Sequence, residues 1–298
     1  MLFTTDLPIA ANTWIWHCPL TDAEVPERIG RLAEWGFDAV EMPLENIGDW
    51  DPDVARECLE NAGMASLVGS VMAPGRELGA ASSETIESTK HYIKACIDHA
   101  QRQGSPIVIG PLTTSVGRTW RMSADERRRV LNEVRDNLAD LADYAGSRGI
   151  VLGIEPLNRY ETSLCNTSEQ IMELLDPLPS ETIGVNLDTY HMNIEESDMW
   201  NPVLAAGDKL VYVHIGESHR GYLGTGSVDF DGLFRALGHI GYTGPIAFES
   251  FSTAVVSDEL SRSLAIWRNL WEDNVDLGRH AYEFITGKLR SVETIAFH

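Results

Sequence analysis

The sequence predicts a single (β/α)8 barrel over residues 1–298, and three observations predict it. Short apolar, β-rich runs alternate with longer segments of helical spacing, and the pair recurs eight times. The length of 298 residues exceeds the usual domain size yet suits one such barrel, which takes roughly 250 residues. No long linker interrupts the series.

Strands are expected at about 9–14, 38–42, 65–71, 106–110, 151–155, 183–187, 210–214 and 245–249. Helical spacing is clearest from 124 to 144, where Val130, Leu131, Val134, Leu138 and Leu141 form a stripe between charged residues. Ser123 caps that helix, and Gly146 and Gly149 end it. The helix of the first unit is expected to begin near Asp22, a good cap, and to stop before Gly36; that of the third covers about 83–103 and stops at Gly104. A last helix at about 258–285 carries Trp267, Leu270, Trp271, Tyr282 and Phe284. That is more aromatic surface than closing a barrel needs: it either packs on the barrel wall or meets another subunit, as in a homodimer or homotetramer.

Composition bounds the partners. With 43% hydrophobic and 23% charged residues the chain reads as globular with ample core. The start, MLFTTDLPIA, has neither a basic nor an apolar leader region, and no run of about 18 apolar residues occurs, so a cytoplasmic protein is expected. Cys18, Cys58, Cys96 and Cys165 form no CxxC pair and are read as reduced. A formal charge of −22 repels nucleic-acid phosphates and anionic membranes, so neither is expected as a partner.

The chemistry lies at four consecutive strand ends: Glu155 in GIEP, Asp188 in NLD, His214 in VHIGE and Glu249 in FES. Parallel barrel strands deliver their C-terminal ends to one face, where barrel enzymes keep their active sites. Three carboxylates and an imidazole suit one hard divalent cation, Mn²⁺ first, with Mg²⁺ or Co²⁺ as alternatives; zinc sites are richer in His and Cys. For any one acid alone, the alternative is a carboxylate satisfied by a neighbouring Arg or a backbone amide. Three uncompensated carboxylates buried together are costly without a cation.

The segments GIEPLNRYET, NLDTYHMNIEE, VHIGESHRGYLGTG and PIAFESF resemble the ketose 3-epimerases of the D-tagatose/D-allulose type, within the xylose isomerase-like barrels. The resemblance is specific over residues 150–252 and looser in VMAPGREL and IGPLTTSVGRTW; the first 60 residues match only in pattern. It implies a metal held by Glu155, Asp188, His214 and Glu249, with Glu155 and Glu249 also serving as the two acid/bases. Inverting a carbon beside a carbonyl needs such a pair: one group removes the α-proton and another returns one to the opposite face, with a metal stabilising the ene-diolate. His191 and Arg220 match residues that donate hydrogen bonds to substrate oxygens. The plainer readings are a capping or core role for His191 and an ion pair with Glu217 or Asp229 for Arg220. Glu161 matches a carboxylate that supports substrate or ligands, or else pairs with Arg159.

Trp14, Trp16 and His17 follow the first strand and Trp120 the fourth; at least two of the four are expected in the core, with Trp14 and Trp120 as sugar contacts. Glu41 ends the second strand and is a candidate to support the ligands. Gly221, Gly224 and Gly226 of GYLGTG do not open a helix directly after a strand, so they read as a flexible active-site loop rather than a dinucleotide fingerprint. The function expected is C3 epimerisation of a free ketose, with aldose–ketose isomerisation close behind. The same site also suits elimination from a 3-oxo-glycoside, usually with a partner subunit. A DNA repair endonuclease of this barrel would need basic loops and more histidines, and a non-catalytic sugar-binding role would need a missing ligand.

Overall fold

Eight parallel strands close on themselves in chain order, β1 pairing with both β2 and β8. The computed structural model describes residues 7–296, so the leader reading of residues 1–6 lies outside the described residues. The strands are β1 Ile9–Asn12, β2 Ala39–Leu44, β3 Ala65–Ser70, β4 Ile107–Gly110, β5 Val151–Ile154, β6 Ile183–Asp188, β7 Leu210–Ile215 and β8 Ile246–Phe248. Helices α1 Val25–Trp35, α2 Pro52–Ala62, α3 Ser83–Gln103, α4 Ala124–Gly146 and α5 Ser168–Leu175 follow the first five strands, and α6 Thr189–Glu195 with α7 Asn201–Ala206 follows the sixth. Helix α8 Phe230–Ile240 follows β7, and α9 Asp258–Ser263 and α10 Asn274–Ala296 follow β8. This is the (β/α)8 barrel that the alternation predicts.

Small and large residues share the barrel interior. Leu67, Ile107, Ile109 and Tyr212 fill it beside Ala10, Ala39 and Ala247, and this layer forms the floor of the site. A much larger apolar layer packs between strands and helices, including the α4 stripe of Val130, Leu131, Val134, Leu138 and Leu141. Ser123 Oγ accepts from Glu126 N, as a cap should. Register places site residues side by side: Asn12 opposite Glu41, and Asp188 opposite His214.

Two expectations are corrected. Helix α1 begins at Val25, not near Asp22, because the preceding turn is closed by Glu24 reaching back to Thr21 N at 3.1 Å. The Asp22 carboxylate instead accepts from Asp51 N at 2.7 Å, joining the first two units. The single last helix expected at 258–285 is two helices. Ala265 takes φ +54°, a left-handed conformation that stops a helix, and Asp273 starts α10 by accepting from Val275 N and Asp276 N. Tyr282 and Phe284 pack on Phe37 and Phe230, and Trp271 Nε1 donates to Ser250 Oγ; Trp267 is 69% exposed. Among the described residues no helix is long and apolar enough to cross a membrane, and the four cysteines are free.

Candidate active site

The strand ends bring Glu155, His214 and Glu249 to one cavity on the C-terminal face, and Asp188 lies fully buried beside it, ion-paired to the Arg220 that also lines it. Asp188 is the last residue of β6 and His214 the last but one of β7, whereas Glu155 and Glu249 stand one residue beyond β5 and β8. The imidazole of His214 is the hub. Its Nδ1 lies 3.5 Å from Glu155 Oε1, and its Nε2 lies 2.8 Å from Glu41 Oε2 and 3.9 Å from Glu249 Oε1. Arg220 Nη1 spans the other side, 2.8 Å from both Asp188 Oδ2 and Glu249 Oε2.

Donor atoms therefore gather in two adjoining groups, Glu41 with His214 and Glu249, and Glu155 with Asp188 and His191, rather than in one ring of four. Glu41 is fixed from below. Tyr212 Oη donates to its Oε2 at 2.7 Å, and Asn12 Nδ2 donates to its Oε1 at 2.8 Å and to Glu249 Oε1 at 3.3 Å. A carboxylate holding one nitrogen of a histidine is the usual support for a metal ligand, and it leaves Nδ1 of His214 facing Glu155.

Charge inside the site is badly out of balance. Glu41, Glu155, Glu161, Asp188 and Glu249 are all buried, with Arg220 and His214 as the cationic groups beside them. Burial pushes Glu249 up to about 8 and Glu161 up to about 7, and Glu155 in the same direction. For Asp188 burial acts likewise, but Arg220, His191 and His214 outweigh it and hold the carboxyl low. Burial opposes charge on His214, yet Glu41, Glu249 and Glu155 keep it protonated well above the usual range. Protons and one guanidinium thus offset carboxylates that a cation would offset better. Glu161 Oε2, moreover, is buried without a hydrogen-bond partner, while Asp188 Oδ2 is matched by the Arg220 guanidinium at 2.8 Å. Each of the two adjoining groups, two carboxylates and an imidazole, has the donor chemistry that suits a divalent cation.

His191 is a neutral donor. Asn158 presents both its backbone N–H (3.1 Å) and its Nδ2 (2.9 Å) to Nδ1, so the proton resides on Nε2, 3.7 Å from Glu155 Oε1 and from Asp188 Oδ2. Burial lowers its pKa to about 3, which keeps the ring uncharged.

Comparison with known proteins decides the family. Residues 29–276 match the model of the xylose isomerase-like TIM barrels. A ketose 3-epimerase from Arthrobacter globiformis is 40% identical over 292 residues, covering 98% of this chain and 100% of that protein. The chain belongs to this family. An L-ribulose 3-epimerase from a Methylomonas species is 37% identical over 96% of this chain and 99% of its own. A crystal structure of a Methylomonas D-allulose 3-epimerase in complex with D-allulose superposes with a TM-score of 0.87 at 35% identity, covering 97% of this chain and 99% of that one. The present chain is accordingly an isomerase, an epimerase acting on carbohydrates.

In this epimerase the cavity is lined by Glu155, Glu249, His214, His191, Arg220, Glu161 and Trp14, but not by Trp120, which sits half-buried with the Arg118 guanidinium 4.5 Å above its ring. Trp16 packs on Trp35, and His17 lies beside Arg28. Arg220 pairs with neither Glu217 nor Asp229: Glu217 accepts from Ser218, Gly224 and Val228 N, and Asp229 caps α8. Within the GYLGTG segment, Gly224 N is the group that donates to Glu217. Nor does Arg159 pair with Glu161; it pairs with Glu195, and Glu161 accepts from Asn158.

Asn12, Tyr212, Asn158 and Gly216 were not singled out in the sequence. The period of two in a strand places Tyr212 on the face of His214, and the strand-end rule points to Asn12, so both were legible. Gly216 was not: a Cβ there would lie 2.8 Å from Arg220 Nη1. Arg220 itself takes φ +58°, a strained conformation that its two carboxylate contacts hold in place.

Proposed function

We propose that this chain epimerises a free, unphosphorylated ketose at C3, with Glu155 and Glu249 carrying the protons. The observation that supports it is the placement of these two carboxylates at either nitrogen of His214, 3.5 Å and 3.9 Å away, in one cavity with a neutral histidine donor and a guanidinium. One carboxylate removes the C3 proton and the other delivers a proton to the opposite face, so the pair works with one member ionised and one protonated. His191 Nε2–H and Arg220 Nη1 donate to the sugar oxygens where negative charge develops, and Trp14 flanks the chain of the sugar. Glu161, with Oε2 unsatisfied, accepts from a sugar hydroxyl.

Glu155, Asp188, His214 and Glu249 would hold one divalent ion, Mn²⁺ foremost and Mg²⁺ or Co²⁺ next, which supplies positive charge against the developing oxyanion. The Arthrobacter and Methylomonas relatives are named for ketoses, which supports the substrate class. Elimination from a 3-oxo-glycoside is not favoured, because these relatives are epimerases. Assembly as a homodimer or homotetramer belongs to the same reading, with Tyr160 and Trp267, 74% and 69% exposed, as candidate contacts.

The test is exchange in D₂O with D-fructose, D-allulose or L-ribulose in the presence of Mn²⁺. Deuterium is expected at C3, and Glu155→Gln or Glu249→Gln is expected to slow exchange by about 10²–10⁴-fold. Absence of exchange at C3 for every ketose would falsify the proposal.

A further inference from the structure

Beside the cavity of the proton carriers lies a second one, partly open to solvent. The two have Val71, Met72, Val116 and Leu260 in common, so only apolar side chains from the end of β3, the segment after β4 and α9 stand between them. Trp14 joins them on another side: its ring lines the first cavity while its Nε1 donates at 3.0 Å to Glu45 Oε1, and Glu45 lines the second.

The second cavity offers acceptors. Glu45, Asn46, Ser257, Glu259 and Ser263 line it, with no Lys or Arg among the lining residues. The nearby Arg76 is committed elsewhere, donating to the backbone oxygens of Val71 and Glu45 with its guanidinium 3.6 Å from the Tyr92 ring centre. Both hydrogen bonds that Glu45 accepts, from Trp14 and Cys18, fall on Oε1, which leaves Oε2 for a ligand. Two carboxylates repel a phosphate or a second carboxylate but accept readily from hydroxyls, and the apolar wall suits the C–H faces of a sugar ring.

The partition is also lightly held. Leu260 belongs to a small cluster of Trp14, Val71, Phe251, Val256 and Ile266, separate from the main core, and α9 is only 6 residues long. Elements anchored by few buried contacts open at low cost.

We propose that the second cavity is a subsite for a neutral polyhydroxyl extension of the substrate, a glycosyl unit on the ketose hydroxyl remote from the reacting carbon. This rests on the C3-epimerase reading. With the reacting carbon among Glu155, Glu249, His191 and Arg220, the rest of the chain runs along Val71, Val116 and Leu260, and an extension passes between them into the acceptor-lined space.

The metal-loaded enzyme is assayed by C3 deuterium exchange on D-fructose, on 6-O-α-D-glucosyl-D-fructose and on D-fructose 6-phosphate. The disaccharide is expected to reach kcat/KM within about tenfold of the free ketose, with the phosphate ester lower by about 100-fold. Within one variant, Ser263→Trp, which fills the second cavity, is expected to lower the disaccharide-to-fructose ratio of kcat/KM by about tenfold, and Glu259→Lys is expected to raise the phosphate-to-disaccharide ratio. Exchange on fructose with none on the disaccharide overturns the subsite alone, and so does a Ser263→Trp effect equal on both sugars, the mark of an entry route. No exchange on any ketose overturns the epimerase reading and the subsite with it.

Discussion

His214 illustrates what a single side chain settles. Nε2 lies against Glu41, itself held by Tyr212 and Asn12, so the ring can turn only one nitrogen toward Glu155. Groups that orient a ligand in this way are worth about 10–100-fold in metal affinity. Glu41→Gln should therefore weaken Mn²⁺ binding by about that factor in calorimetric titration while leaving the far-ultraviolet circular dichroism unaltered. Unchanged affinity would show that Glu41 does not orient the ligand.

At the scale of elements, the segment after β4 owes its shape to Glu77. This buried carboxylate accepts from the hydroxyls of Thr114 and Ser115, takes the Ser115 amide, and pairs with Arg118 Nη1 at 2.7 Å, and the same segment presents Val116 to the cavity. Glu77→Ala leaves several buried donors unpaired and should cost about 2–4 kcal/mol in urea unfolding. KM should rise more than kcat falls, since Glu77 holds the segment that carries Val116 and bonds to neither proton carrier. A loss of kcat alone would contradict this assignment.

The whole molecule carries a charge of −22, and the site concentrates the same excess in its interior. Glu249 and Glu161 have their carboxyls raised by burial, to about 8 and about 7, and Glu155 moves the same way, so each binds its proton more tightly folded than unfolded. Their contribution is then complete below the ordinary carboxylate range and is lost as pH rises through these raised values. His214, also raised, acts in the same direction; Asp188, lowered, opposes it. Metal-stripped protein should therefore lose thermal stability between about pH 5 and about pH 8, and saturating Mn²⁺ should restore it most at the upper end. Melting curves with and without chelator check this; a stripped protein that grows more stable across that range would refute it.

The barrel and the gathering of Glu155, Asp188, His214 and Glu249 on one face were legible in the sequence, because both follow from local order. Strand period and alternation with helices set the fold, and parallel strands carry their ends to one face whatever the distance along the chain. Glu41 was legible for the same reason, as was Trp14 at the start of the pocket. Arg220 between Asp188 and Glu249, the support of Glu41 under His214, the break at Ala265 and the placing of Trp120 outside the cavity were decided only in three dimensions. Each depends on which distant groups compete for one donor or one space, such as the room Gly216 leaves for the Arg220 guanidinium. A linear pattern fixes which face a side chain points to; its partner there is chosen by charge, burial and the volume left by neighbours from other strands.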